Sequence, residues 1–231
     1  MTSPDHPASS AAPSQTSQAS APRAPQLGET VPDVALKTTH GDFTLHEYIG
    51  DQWVILFFYS VDFKPVCTTE FIGFAQRADE LAKYNVKLLG NSIDSVYSHI
   101  AWVRSIKQNF KIDVPFPIIA DLDMNVARHF GMLHEATSTT AAVRAVYFID
   151  PKKVLRASIL YPMTTGRNMD EIVRVIEALQ ASDQHGIATP ADWTPGKPVI
   201  VPPPTTSDDA ETRVNNPDGY EVTDWYFSTR T

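Results

Sequence analysis

Residues 53–70 read W-V-I-L-F-F-Y-S-V-D-F-K-P-V-C-T-T-E. The first seven, Trp53 through Tyr59, are all large and apolar, with aromatic and branched side chains. An unbroken apolar run of that length suits a strand buried on both faces, although pattern alone leaves a buried helical segment open. Pro65 then interrupts the chain, and an amphipathic helical pattern begins at once. Cys67, the only cysteine in the sequence, falls at this junction. A thiol in the first turn of a helix meets the positive end of the helix dipole and backbone N–H groups without intrahelical partners, and both favour thiolate over thiol.

The chain has 231 residues, enough for one well-filled domain with extensions. Its 42% hydrophobic and 20% charged content is ordinary for a soluble globular protein. The formal net charge of −8 and the absence of any basic run argue against a nucleic-acid or anionic-membrane binder. The longest apolar run is far too short to span a membrane. A single cysteine excludes an internal disulfide and any Cys-x-x-Cys redox or zinc site. The seven histidines show no ligand spacing, and His129 and His134 lie five apart with no cysteine beside them.

Outward from the central stretch, the sequence predicts strands and helices in alternation. Residues 1–26 are dominated by Ser, Ala, Pro, Gln and Thr and are predicted to be a disordered tail. They lack the basic start and apolar core of a secretory signal; their scarcity of acidic residues leaves an organelle transit peptide open, with Arg23 as its only basic residue, and a cytoplasmic protein is expected. Short strands are predicted at 31–36 and 43–45 around a T-H-G-D turn at 39–42. The helix from Cys67 places Phe71, Phe74, Ala75, Ala78, Leu81 and Ala82 on one side. A second buried strand is expected at 86–93. Ser95 then caps a helix whose apolar face carries Val96, Ile100, Val103 and Ile106. A strand at 118–120 and a short helix at 123–130, stopped by Gly131, come next. Residues 141–149 and 154–161 form a hairpin about the turn D-P-K-K. Asn168 caps a helix over 169–180. Beyond Ser182 the Pro-rich run 199–204 and the polar stretch 205–218 look too irregular for a core. Trp193, Trp225, Tyr226 and Phe227 would still be costly to leave in water. The expected organisation is a tail at 1–26, an α/β domain at 27–182, and an arm at 183–231 docked on its own domain or on a partner subunit.

At 63–70, F-K-P-V-C-T-T-E, the chain resembles a peroxiredoxin. The stretches R-A-V-Y-F-I-D-P at 144–151, I-L-Y-P-M-T-T-G-R-N at 159–168 and T-P-A-D-W-T-P-G-K-P-V-I-V-P-P-P at 189–204 resemble its long-armed, one-cysteine group. D-W-Y-F at 224–227 is a weaker echo of the same group. The resemblance implies a thioredoxin-like fold with a C-terminal extended arm, and reduction of hydrogen peroxide and organic hydroperoxides by a cysteine thiolate. It implies Cys67 as nucleophile and Arg144 holding thiolate and peroxide. Glu70, one helical turn on, would orient that arginine, and Arg167 would support it. Lys64, Pro65 and Val66 would lie beside the peroxide. No metal or organic cofactor is implied. The expected partners are a hydroperoxide, an external thiol and a second copy of the chain, in a homodimer or a larger ring.

Three positions depart from the family pattern. Pro-x-x-x-Thr-x-x-Cys is replaced by Ser60 and Lys64 at its first two named positions. The loop thereby loses a rigid turn residue, and the site loses a hydroxyl that both donates and accepts; an ammonium only donates. These changes predict a weakened peroxidase, with an oligomeric chaperone or a peroxide sensor as the alternative function. Ser228 stands where many long-armed relatives carry a resolving cysteine, which implies recycling by an external thiol. Residues 50–54, G-D-Q-W-V, lack the serine of relatives with phospholipase activity, so no lipase activity is expected.

Overall fold

The apolar run forms a strand covered on both sides in a computed structural model that describes residues 23–134, 136–138, 142–217 and 219–231. The predicted disorder of 1–26 falls, for its first 22 residues, outside the described ones. In chain order the first elements are β1 (Ala35–Thr38), β2 (Gly41–Thr44), α1 (Leu45–Ile49), β3 (Trp53–Phe58), α2 (Pro65–Lys83) and β4 (Val86–Ser92). They are followed by α3 (Val96–Phe110), β5 (Ile118–Ala120), α4 (Asn125–His129), β6 (Arg144–Ile149), β7 (Leu155–Tyr161) and α5 (Met169–His185). The arm contains β8 (Val199–Ile200), α6 (Ser207–Asn215), β9 (Glu221–Asp224) and β10 (Phe227–Arg230).

Seven strands make one sheet in the order β2-β1-β5-β4-β3-β6-β7. The central β3 runs parallel to β4 and antiparallel to β6. Side chains alternate along a strand, so Val54, Leu56 and Phe58 enter one apolar cluster with residues of α1 and α4. Ile55, Phe57 and Tyr59 enter a second cluster with residues of α2, α3 and α5. This double burial explains why the run shows no polar alternation, and it settles strand over helix. Each such side chain contributes roughly 1.5–3 kcal/mol by leaving water. Phe57 pairs across the sheet with Gly90, where an added Cβ would lie 3.2 Å from the Phe57 ring and 3.3 Å from Phe71.

Several boundaries differ from the sequence-based expectation. The strand expected at 31–36 is instead Ala35–Thr38. Pro32 has no N–H for a ladder, and the Val31 N–H donates to the Lys153 carbonyl at 2.8 Å. Leu45 opens a helix because Thr44 and Glu47 form a reciprocal capping box. The buried face of α3 is His99, Trp102 and Ile106, whereas Ile100 is 45% exposed. Trp102 packs against Phe71 and Tyr59, at ring distances of 4.5 and 5.5 Å, which buries more apolar area than isoleucine could. Ala82, expected on the core side of α2, is exposed. The hairpin strands begin at Arg144 and Leu155, and Ala141, expected in the first of them, lies outside the described residues. The caps read from sequence are present: Ser95 accepts from the Ser98 N–H, and Asn168 accepts from those of Asp170 and Glu171.

The arm is more regular than its composition suggests. A second sheet, β8-β10-β9, forms there. Within the polar 205–218 stretch, Thr206 caps α6 by accepting from the Asp209 N–H, with Asp208 and Asp209 in the favourable first turn. Trp193 is buried, and its indole N–H donates to the Lys197 carbonyl at 3.0 Å. Trp225, Tyr226 and Phe227 stay 44–57% exposed. Among the described residues no helix is long and apolar enough to cross a membrane.

Candidate active site

The position of Cys67, the expected nucleophile, is built by the end of β3 and the start of α2. Lys64 is the extended N-cap of α2 and offers no side-chain cap, and Pro65 at the first helical position has the fixed φ that position needs. Cys67 therefore sits in the first turn, fully buried and free. Because β6 lies antiparallel beside β3, with Phe58 opposite Ala145, its first residue Arg144 arrives at the same end of the sheet.

Arg144 Nη1 donates to Cys67 Sγ at 3.3 Å and to Glu70 Oε2 at 2.6 Å, while its Nε donates to the Met163 carbonyl at 3.0 Å. Glu70 also takes hydrogen bonds from Arg167: Nε and the backbone N–H reach Oε1 at 3.0 and 3.1 Å, and Nη2 reaches Oε2 at 3.2 Å. Arg167 is fastened further by donating to the carbonyls of Phe58 at 2.6 Å and Ala145 at 3.3 Å. Arg144, Glu70 and Arg167 are all buried. Burial pushes the Arg167 guanidinium below its ordinary value, and the Glu70 carboxylate opposes that shift. Two guanidinium groups against one carboxylate leave one positive charge in excess beside the buried Cys67 sulfur. Ser60, fully buried, places its Oγ 3.5 Å from Cys67 Sγ.

The tertiary structure thus gathers Cys67, Glu70, Arg144, Arg167 and Ser60 around one sulfur. The other three predicted site residues are less engaged. Lys64 is exposed, and its ammonium makes none of the contacts at the sulfur; Pro65 is exposed and Val66 half-buried at the helix start. The Met163 carbonyl escaped sequence reasoning because no side chain advertises it.

A second buried network, also unforeseen, holds the loop between Ser60 and Pro65. Asp62 accepts from the Tyr59 hydroxyl at 2.8 Å and faces His99 Nδ1 at 2.9 Å, and its own N–H donates to Asp94 at 2.9 Å. His99 Nε2 lies 3.1 Å from the Ile119 carbonyl. Burial, with Asp62 beside it, pushes the Tyr59 phenol well above its ordinary value. With Asp62 pinned, Phe63 adopts a left-handed backbone, φ 57°, which is costly for an aromatic residue. Among the described residues no group of three or more His, Cys, Asp or Glu side chains gathers to hold a metal ion.

Residues 27–158 match the AhpC/TSA family, and residues 178–216 match the C-terminal domain of 1-Cys peroxiredoxin. A peroxiredoxin of Aquifex aeolicus is 51% identical over 213 residues, covering 88% of this chain and 95% of the relative. A peroxiredoxin of Thermoplasma volcanium is 50% identical over 201 residues, covering 87% and 96%. Among solved structures, a yeast mitochondrial 1-Cys peroxiredoxin superposes with a TM-score of 0.80 at 38% identity, covering 89% of this chain and 98% of that one. A mutant of peroxiredoxin 6 from Arenicola marina gives a TM-score of 0.79 at 37% identity, covering 89% and 97%. The sheet and its flanking helices accordingly have the thioredoxin-like peroxiredoxin fold, with the C-terminal strands in a second sheet.

Proposed function

This chain belongs to the AhpC/TSA family of peroxiredoxins, and from that membership we propose that it reduces hydrogen peroxide and organic hydroperoxides through a Cys67 sulfenic acid that an external thiol recycles. The family supports a thiol-dependent peroxidase. The observation that carries the reading to this chain's own residues is the Arg144 guanidinium 3.3 Å from the Cys67 sulfur.

The chemistry follows from that geometry. The thiolate attacks one peroxide oxygen, an S–O bond forms, the O–O bond breaks, and the electron pair leaves on the departing oxygen. Arg144, held in place by Glu70 and the Met163 carbonyl, stabilises that developing charge in a water-poor site. The departing oxygen takes a proton from water. The sulfenic acid, the first rung of thiol oxidation, needs a second thiol to return to the resting state. Cys67 is the chain's only cysteine, and Ser228 is fully buried at the position of the absent resolving cysteine, so that thiol comes from another molecule. The yeast relative's thiol resolution proceeds via glutathione/thioredoxin systems, which supports a small thiol or dithiol protein as reductant here. A reducing compartment such as the cytoplasm suits this cycle, and a homodimer or larger ring, with the exposed aromatic arm at its interface, belongs to the same proposal.

Because Cys67 is fully buried, the substrate is small or the loop carrying the exposed Phe63, Lys64 and Pro65 moves aside for it. A second reading, an oligomeric chaperone or peroxide sensor with weakened catalysis, rests on Lys64, whose ammonium makes no contact at the sulfur. Peroxide consumption with dithiothreitol as reductant, together with trapping of a Cys67 sulfenic acid by dimedone, tests the first reading. Absence of both signals overturns it, and a sulfenic acid formed without appreciable turnover favours the second.

A further inference from the structure

We propose that Ser60 is a catalytic residue of this reaction, its buried hydroxyl donating to the Cys67 sulfur and accepting the O–H of the incoming peroxide. The inference rests on the peroxidase reading above.

Three observations converge on it. Ser60 Oγ is fully buried, and among the described residues its hydrogen-bond partner is Cys67 Sγ at 3.5 Å. The other hydroxyls of the motif are committed elsewhere: Thr68 donates to the Lys64 carbonyl at 2.9 Å and Thr69 to the Val66 carbonyl at 2.7 Å. Lys64, three residues before the cysteine, is exposed and brings no polar group to the sulfur. Ser60 therefore supplies the hydroxyl at the nucleophile, opposite in hydrogen-bonding character to Arg144, which only donates.

That difference matters in the reaction. A guanidinium stabilises charge but cannot accept a hydrogen bond, whereas a hydroxyl carries one donor and two acceptor lone pairs. In the resting site the Ser60 O–H donates to the anionic sulfur. When a hydroperoxide enters, the Ser60 oxygen accepts from the O–H of the oxygen under attack and holds that oxygen against the sulfur. The S–O bond forms as the O–O bond breaks, the transferred oxygen keeps its hydrogen, and the product S–O–H still has Ser60 Oγ as acceptor. The electron pair leaves on the distal oxygen beside Arg144 and is protonated by water. Ser60 itself ends unchanged. Its place directly after the strand end makes this positioning rigid, since the Tyr59 N–H, one residue earlier, extends the sheet by donating to the Asn91 carbonyl at 3.1 Å.

The test compares full-length wild type with Ser60→Ala and Ser60→Pro, neither of which carries the hydroxyl. Stopped-flow measurement gives the rate constant of Cys67 oxidation by hydrogen peroxide, and mass analysis gives its alkylation by iodoacetamide, which has no O–H to be read. Both variants are expected to lose about tenfold or more in peroxide oxidation, on the order of one hydrogen bond to a charged group, with alkylation within about threefold of wild type. An unchanged oxidation rate in Ser60→Ala overturns the inference. Equal slowing of both reagents also overturns it, since that marks altered access to the sulfur. If the wild type itself forms no sulfenic acid, the peroxidase reading fails and this inference with it, a result distinguishable from the other two.

Discussion

Arg144 Nη1 stands 3.3 Å from Cys67 Sγ, although the two residues are 77 positions apart in the sequence. The same nitrogen is shared with Glu70 at 2.6 Å, so the guanidinium is aimed by a carboxylate that is itself clasped by Arg167. Lysine at position 144 would keep the charge but lose the planar fork that reaches sulfur, carboxylate and the Met163 carbonyl together. Arg144→Lys and Arg144→Met are both expected to slow peroxide oxidation of Cys67 by about 10²-fold or more. Stopped-flow kinetics checks this, and a loss smaller than threefold in Arg144→Met would remove Arg144 from the chemistry.

Glu70 faces two guanidinium groups in a site closed to solvent. Glu70→Gln leaves both cations without their countercharge and turns an amide N–H₂ toward donors. Breaking such a buried pair from one side costs roughly 3–5 kcal/mol. Urea unfolding of the variant is expected to show a loss of that order, along with slower peroxide reduction because Arg144 is no longer aimed. A stability change below about 1 kcal/mol would mean that the two arginines find other support.

Exchange of the two departing motif residues separates the active from the crippled reading. In Ser60→Pro/Lys64→Thr the hydroxyl is moved from one end of the loop to the other. Since Ser60 already brings a hydroxyl to the sulfur, the gain in peroxide rate is expected to stay under about tenfold, the scale of one hydrogen bond. A gain of several orders of magnitude would show that the natural site is disabled and would favour the chaperone or sensor role.

Arg156 joins β7 to α5 through a two-pronged contact with Asp183, at 2.6 and 2.7 Å. The hydrogen bond from Arg156 holds the Asp183 carboxyl below its ordinary value of 3.8. For an acid lowered in the folded state, the stabilisation is fully present above the unfolded value and is lost as pH falls through the folded one. Asp183→Asn is therefore expected to be less stable than wild type at neutral pH, with the difference vanishing as pH drops below 3.8. Asp183 is 45% exposed, so solvent screening keeps the effect under about 1 kcal/mol. Thermal melts at several pH values check the sign, and a difference that grows toward low pH would contradict it.

Much of the local order is legible where its cause is local. The apolar run, Pro65, the caps at Ser95 and Asn168, and the turn at 150–153 each act within a few residues, and each element stands where its pattern placed it. The misreadings have two origins, one tertiary and one local. Periodicity places Ile100 inward, but α3 is turned by the burial of Trp102 and by the pairing of His99 with Asp62 and the Ile119 carbonyl. The capping box of Thr44 and Glu47 is local, and it overrides the strand that the pattern of 43–45 suggests.

The sequence by itself determined that a fully buried apolar element feeds a helix with the single thiol in its first turn, because hydrophobic pattern, proline geometry and helix-end electrostatics depend on neighbours in the chain. Only the tertiary structure decided what surrounds that thiol. The register of β3 against β6 brings Arg144 to the sulfur, and the segment after β7 brings Arg167 to Glu70 from 97 residues away. Those placements follow from strand pairing and long-range closure, which no local pattern encodes.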